Sequence, residues 1–123
     1  MAFLTDRKRA TGLGSARTGT DHQWTMTVSA VALAILVPLF IFTFGPMLGR
    51  PHEEVLAYFG RPFPALVAVL TLVTGFMHFR HGVRTAIEDY THGLVREYLI
   101  IAMNIISFGA AAVAIFAIAR LAL

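Results

Sequence analysis

Three long apolar runs, separated by short polar breaks, constrain the fold of this 123-residue chain more than any other feature. They predict helices over about 26–48, 63–89 and 96–120, and each run supplies the roughly 20 residues that a helix needs to cross a bilayer core. Hydrophobic residues make up 57% of the chain and charged residues only 14%. A soluble domain of this size could not bury so much apolar surface. The sequence therefore predicts an all-α membrane protein with three transmembrane helices.

The basic residues are placed unevenly around these runs, and this asymmetry predicts an orientation in the membrane. By the positive-inside rule, the basic side of a helix faces the cytoplasm. We therefore expect residues 1–23 to form a cytoplasmic segment, irregular or lying on the membrane surface, and residues 24–123 to form the membrane part. The membrane would be a cell inner membrane or a mitochondrial-type inner membrane. The C-terminus would then lie on its periplasmic side, or on the equivalent side in the mitochondrial-type case. The residues that carry this argument are Arg7, Lys8, Arg9 and Arg17 before the first helix, and Arg84 and Arg96 around the second turn.

Two classes of function are disfavoured by composition. The chain has no cysteine, which excludes disulfides, thiolate metal sites and iron–sulfur clusters held by this chain. Its net charge of +3 comes from residues that flank apolar runs, so it indicates membrane topology and not nucleic-acid binding.

The polar end of the second predicted helix carries the candidate chemistry. At about 100° per residue, Gly75, His78, Gly82 and Asp89 fall on nearly one helical face. A neutral imidazole is a good axial ligand for haem iron, and a glycine one turn before and after it leaves room for a flat ring. The alternative is a histidine that hydrogen-bonds a neighbouring helix, with glycines that serve close helix packing.

Neighbouring side chains suggest further contacts. His81 is displaced from His78 by about 60°, which favours a polar interface contact or a haem propionate over ligation. For Arg80, contact with lipid headgroups is favoured over a salt bridge to an anionic cofactor group or a partner subunit. Asp89 and Tyr90 lie about 16 Å along the helix from His78. There the phenol could donate to a quinone carbonyl and the carboxylate could help to deliver protons, although an interfacial aromatic anchor beside an ordinary acid is the simpler alternative.

The spacing His78-x3-Gly82-x6-Asp89-Tyr90, in a three-helix layout, resembles the small hydrophobic membrane-anchor subunits of succinate dehydrogenase, the respiratory complex II. Two further segments, Gly14–Trp24 and His92–Tyr98, also look like this family, so the resemblance covers nearly the whole chain.

The resemblance implies a subunit without an active site for succinate itself. Such a subunit pairs with a second membrane anchor, the cytochrome b subunit, and the pair docks an iron–sulfur subunit and a flavoprotein subunit at the cytoplasmic face. A haem b lies between the two anchors, with His78 as this chain's ligand to the iron and Gly75 and Gly82 where the haem approaches. Tyr90 matches the tyrosine that hydrogen-bonds ubiquinone, and Asp89 matches its acidic neighbour.

One departure from the family pattern concerns the start of the first helix. Families of this type often carry an arginine a few residues after the position of Trp24, where this chain reads Trp24-Thr-Met-Thr27-Val-Ser-Ala30. Any contact of that arginine with a propionate or quinone would fall to Arg17, His22 or His81. Two alternatives stay open: the anchor of a fumarate reductase, which runs the same chemistry in reverse, and a small membrane scaffold without a cofactor.

Overall fold

The computed structural model describes residues 3, 5–12 and 19–123, and within them the chain folds into five α-helices with no β-strand. The second helix with the 3-10 turn that follows it, the fourth helix and the fifth helix span 29, 29 and 30 residues, and each is long and apolar enough to cross a bilayer. The predicted all-α class with three transmembrane helices is therefore confirmed. The helices are α1 (Asp6–Thr11), α2 (Gly19–Phe44), α3 (His52–Phe59), α4 (Pro62–Tyr90) and α5 (Gly93–Ala122), with the 3-10 turn at Gly45–Met47.

The N-terminal part is more helical than the sequence suggested. The short helix α1 begins after Thr5, whose side chain accepts a hydrogen bond from the backbone N–H of Lys8 at 3.3 Å. Helix α2 begins at Gly19, several residues before its predicted start near 26. The expected irregular segment 1–23 thus contains α1 and the first turn of α2. The first five residues of the N-terminal motif that resembles the family, 14–18, which include Arg17, lie outside the described residues.

Helix α4 lies between the other two long helices, and α2 and α5 each pack along it. The buried residues of α4 are all near its first turns: Pro64, Ala65, Val67, Ala68 and Thr71. Small side chains at this end let the backbones approach closely, which is how helices associate in a membrane. Pro38 lies inside α2 without ending it, as expected of a membrane helix.

A tight turn joins α4 to α5 and fixes which residues share one end of the molecule. Gly93, the first residue of α5, has a φ of 64°, a left-handed conformation that favours glycine. It lets the chain reverse with only two residues between Tyr90 and the start of α5. At the same end, the first turns of α2 meet the last turns of α4, because Gly19, His22, Arg84 and Glu88 line one groove. The fold therefore places the start of α2, the end of α4 and the start of α5 together.

Candidate functional site

His78 lies on α4, half-buried against α2. Its Nδ1 atom is 2.9 Å from the Oγ atom of Ser29, and the same Oγ atom is 2.9 Å from the carbonyl oxygen of Met26. The neighbouring helix therefore engages one nitrogen of the ring, as the simpler interpretation of this histidine expected. An imidazole has two nitrogens, so this contact is compatible with metal ligation through the other one.

The two glycines that flank His78 face open space within this chain. A Cβ atom added to Gly75 or Gly82 would meet no described atom within 4 Å, apart from the helix's own nearby backbone. Gly75 also lines a shallow apolar groove of about 260 Å³ on α4 with Thr71, Leu72, Phe76 and Phe79. Close packing among the described helices is thus not what these glycines provide. They leave one face of α4 flat and open to something outside the chain.

A cluster of polar residues lies where α2 begins and α4 approaches its end. The rings of His22 and His81 are 5.1 Å apart between centroids and inclined at 64°. The Nε2 atom of His22 lies 3.4 Å from the Oγ1 atom of Thr85, and the Nε atom of Arg84 donates to Glu88 at 2.8 Å. The structure therefore brings together His22 and His81, two of the three residues suggested as substitutes for the missing arginine.

Arg80 contacts α5, a contact that the sequence analysis did not predict. Its guanidinium carbon lies 4.9 Å from the centroid of the Phe108 ring on α5, and its Nη2 atom is 3.4 Å from the Nε2 atom of His81. A cation over an aromatic face is attracted by the ring quadrupole, which partly compensates for the loss of water. Arg80 thus links α4 to α5.

Asp89 and Tyr90 are the last two residues of α4, and both are exposed. Tyr90 is 86% exposed, so its phenol is accessible to a molecule at this end of the helices. The structure keeps this pair about three helical turns from His78 and does not merge them into one pocket. The site residues named from the sequence therefore divide into a histidine region inside the helix layer and an acid–phenol pair at its edge.

Ser29 is a site residue that the sequence analysis did not single out. It lies seven residues after His22, which is about two turns along the same face of α2. A hydroxyl inside an apolar helix is a signal for a contact across helices, so its polarity pointed to a partner. Nothing in the sequence of α2 identified that partner as His78.

Comparisons with known proteins agree with one another over most of the chain. The family model described as the succinate dehydrogenase/fumarate reductase transmembrane subunit matches residues 2–118. The succinate dehydrogenase hydrophobic membrane anchor subunit of Paracoccus denitrificans is 48% identical over 123 residues, which is 100% of this chain and 95% of that protein. The subunit of the same description from Rickettsia conorii is 29% identical over 105 residues, or 84% of this chain and 83% of that protein. No solved structure matches the chain. This chain therefore belongs to the family of succinate dehydrogenase and fumarate reductase transmembrane subunits, and among them it is a succinate dehydrogenase membrane anchor.

Proposed function

We propose that this anchor subunit provides His78 as one axial ligand of a haem b and Tyr90 as a hydrogen-bond donor to ubiquinone. The observation that carries the proposal is the setting of His78, which is half-buried, held at Nδ1 by Ser29 and flanked by glycines on an open helix face. An imidazole held at one nitrogen and approachable at its side suits a haem iron. The spacing from His78 to Tyr90, which resembles that of the family, supports the same assignment.

The residues of this chain would bind and orient the haem, which when bound supplies one-electron transfer chemistry. Gly75 and Gly82 leave the helix face free for a flat macrocycle, because no side chain of theirs stands in the way. A second ligand to the iron would come from the partner anchor, the cytochrome b subunit. His81, beside His22, is our candidate for contact with a haem propionate in place of the arginine expected near Thr27.

Ubiquinone would be bound at the end of α4. Reduction of ubiquinone to ubiquinol takes up two electrons and two protons. The O–H group of Tyr90 can donate a hydrogen bond to one quinone carbonyl and so stabilise the negative charge that develops there. Asp89 is exposed next to it, and its carboxylate can take protons from water and pass them towards the quinone. Both residues would thus act at the membrane surface, where a lipid-soluble quinone meets water.

The iron–sulfur and flavoprotein subunits would dock on this same surface and deliver the electrons from succinate. The first turns of α2 and the last turn of α4 share this end of the molecule. The basic residues before α2 and around the turn after α4 favour a cytoplasmic location for it. The membrane would be the cell inner membrane, or a mitochondrial-type inner membrane, with the C-terminus in the periplasm or its equivalent.

This orientation can be tested by labelling single cysteines, because the chain has no cysteine of its own. We expect a membrane-impermeant thiol reagent added to the periplasmic side to label His52→Cys and Leu123→Cys but not His92→Cys. All three residues are exposed, so the reagent has access to each once it reaches the correct side. Labelling of His92→Cys and Leu123→Cys from the same side would contradict three spans with this orientation.

The cofactor and the partners are tested together by purifying the complex through a tag on this chain. We expect three further subunits to co-purify: a second anchor, an iron–sulfur protein and a flavoprotein. We expect the reduced-minus-oxidised spectrum to show the sharp α and β bands of a bis-histidine haem b. A complete complex without these bands would favour a cofactor-free scaffold.

Because both relatives are described as succinate dehydrogenase subunits, we propose that the complex works physiologically towards succinate oxidation. Faster quinol–fumarate turnover than succinate–quinone turnover would instead favour the fumarate reductase alternative.

A further inference from the structure

The hydroxyl of Ser29 lies between two hydrogen-bonding partners. One is a carbonyl oxygen, which can only accept, and the other is a ring nitrogen, which accepts or donates according to the tautomer. Its Oγ atom is 2.9 Å from the carbonyl oxygen of Met26, one turn earlier in α2, and 2.9 Å from the Nδ1 atom of His78 on α4. A hydroxyl has one proton to donate and two lone pairs that accept. The carbonyl oxygen can only accept, so the Ser29 proton goes to Met26 and a lone pair faces His78.

This arrangement determines which nitrogen of His78 carries a proton. Because Ser29 presents an acceptor, the Nδ1 atom of His78 must carry an N–H group and donate it. A neutral imidazole has only one N–H group, so its Nε2 atom then holds the lone pair. The lone pair on Nε2 is what an iron ion requires of a histidine ligand. The opposite tautomer would leave Nε2 protonated and unable to ligate.

We propose that Ser29 is a positioning residue that fixes the tautomer and the ring orientation of His78 for iron ligation through Nε2. This inference depends on the proposed ligation by His78 and extends it to a residue on another helix. A histidine that donates its second ring N–H to an acceptor becomes a more basic ligand, and a more basic ligand favours ferric over ferrous iron. Ser29 therefore contributes to the midpoint potential of the haem as well as to its retention.

The test compares three variants of the purified membrane complex. Ser29→Ala removes the acceptor and leaves only a methyl group in its place. Ser29→Thr keeps a hydroxyl at the same position of α2. Thr27→Ala is the matched control, because Thr27 is exposed and its hydroxyl donates to the carbonyl of Gln23 at 3.0 Å, the same kind of bond to the preceding turn. Thr27→Ala thus removes an equivalent hydroxyl from α2 without removing a bond to His78.

We expect Ser29→Ala to shift the haem midpoint potential to a more positive value and to change the EPR g-values of the ferric haem, which depend on the orientation of the ligand ring. Haem retention should weaken about 10-fold, at the lower end of the range for such supporting partners. Ser29→Thr and Thr27→Ala should match the wild type in potential and EPR signal. Succinate oxidation with an artificial acceptor at the soluble subunits reports that each complex has assembled.

The outcomes separate this inference from the proposed function. If Ser29→Ala has the potential and EPR signal of the wild type, or if Ser29→Thr is changed as much as Ser29→Ala, then Ser29 does not position the ligand through its hydroxyl. If His78→Ala keeps the haem spectrum unchanged, then His78 is not the ligand and the proposed function itself fails. A shift in Ser29→Ala that Ser29→Thr restores, together with haem loss in His78→Ala, supports both.

Discussion

Replacing His78 with alanine should abolish the haem b spectrum of the complex or replace it with that of a weakly held, altered haem. The substitution removes the imidazole that would ligate the iron, and alanine offers no atom that can replace it. The expected reading is a loss or a marked change of the α and β bands in the reduced-minus-oxidised spectrum, measured per mole of purified complex.

The matched control is His81→Ala, three residues further along α4. His81 contacts His22 and Arg80, so its loss should disturb the polar cluster and leave the ligation of the haem intact. We expect both bands to remain in the spectrum, because the ligand to the iron is still present. The reverse pattern, with haem lost in His81→Ala and kept in His78→Ala, would identify His81 as the ligand.

Replacing Tyr90 with phenylalanine should lower succinate–quinone reductase activity roughly ten- to hundred-fold. The variant keeps the ring and removes only the hydrogen-bond donor, and the loss of one such bond in the transition state costs about 1–3 kcal/mol. Succinate oxidation with an artificial acceptor should continue at the wild-type rate, because in the proposed complex that reaction would occur in the soluble subunits. The measurement is the ratio of the two activities in the same membrane preparation.

Tyr98→Phe is the control for this change, since Tyr98 is another exposed phenol, at 69% exposure, in the second turn of α5 near the same end of the molecule. We expect it to leave both activities unchanged. If Tyr90→Phe also retained full quinone reductase activity with its haem bound, Tyr90 would be an interfacial anchor, and the quinone site would lie among residues of the partner subunits.

The three transmembrane helices could be predicted because the length and composition of an apolar run are local properties. The start of α2 could not be predicted in the same way. Residues 19–25 are largely polar, so the hydropathy pattern placed them outside the helix, yet the structure continues the helix back to Gly19. His22 lies in this added part and contacts His81 and Thr85 of α4. Such contacts between distant segments compensate for weak local helix preference, and a single sequence does not reveal them.

The features of the candidate site divide in the same way, into those that follow from local sequence and those that depend on contacts between helices. The common face of Gly75, His78 and Gly82 follows from helical periodicity within one segment, so it could be inferred from spacing alone. The contact between Ser29 and His78 joins residues 49 positions apart and depends on how far α2 is shifted along α4. The same holds for Arg80, whose position over Phe108 depends on the packing of α5. Packing between helices, not sequence period, determined what these polar side chains contact.

The uneven burial along α4 has a consequence for how the complex assembles. Every buried residue of this helix lies between Pro64 and Thr71, while His78 and the turns after it are only partly covered by their own chain. If the haem and the second anchor both bind at the partly covered end, each stabilises the helix arrangement that the other requires. Thermodynamic linkage then makes their binding mutually cooperative, so that haem incorporation and subunit pairing reinforce each other. The isolated subunit would have packed helices at one end and an incomplete binding site at the other.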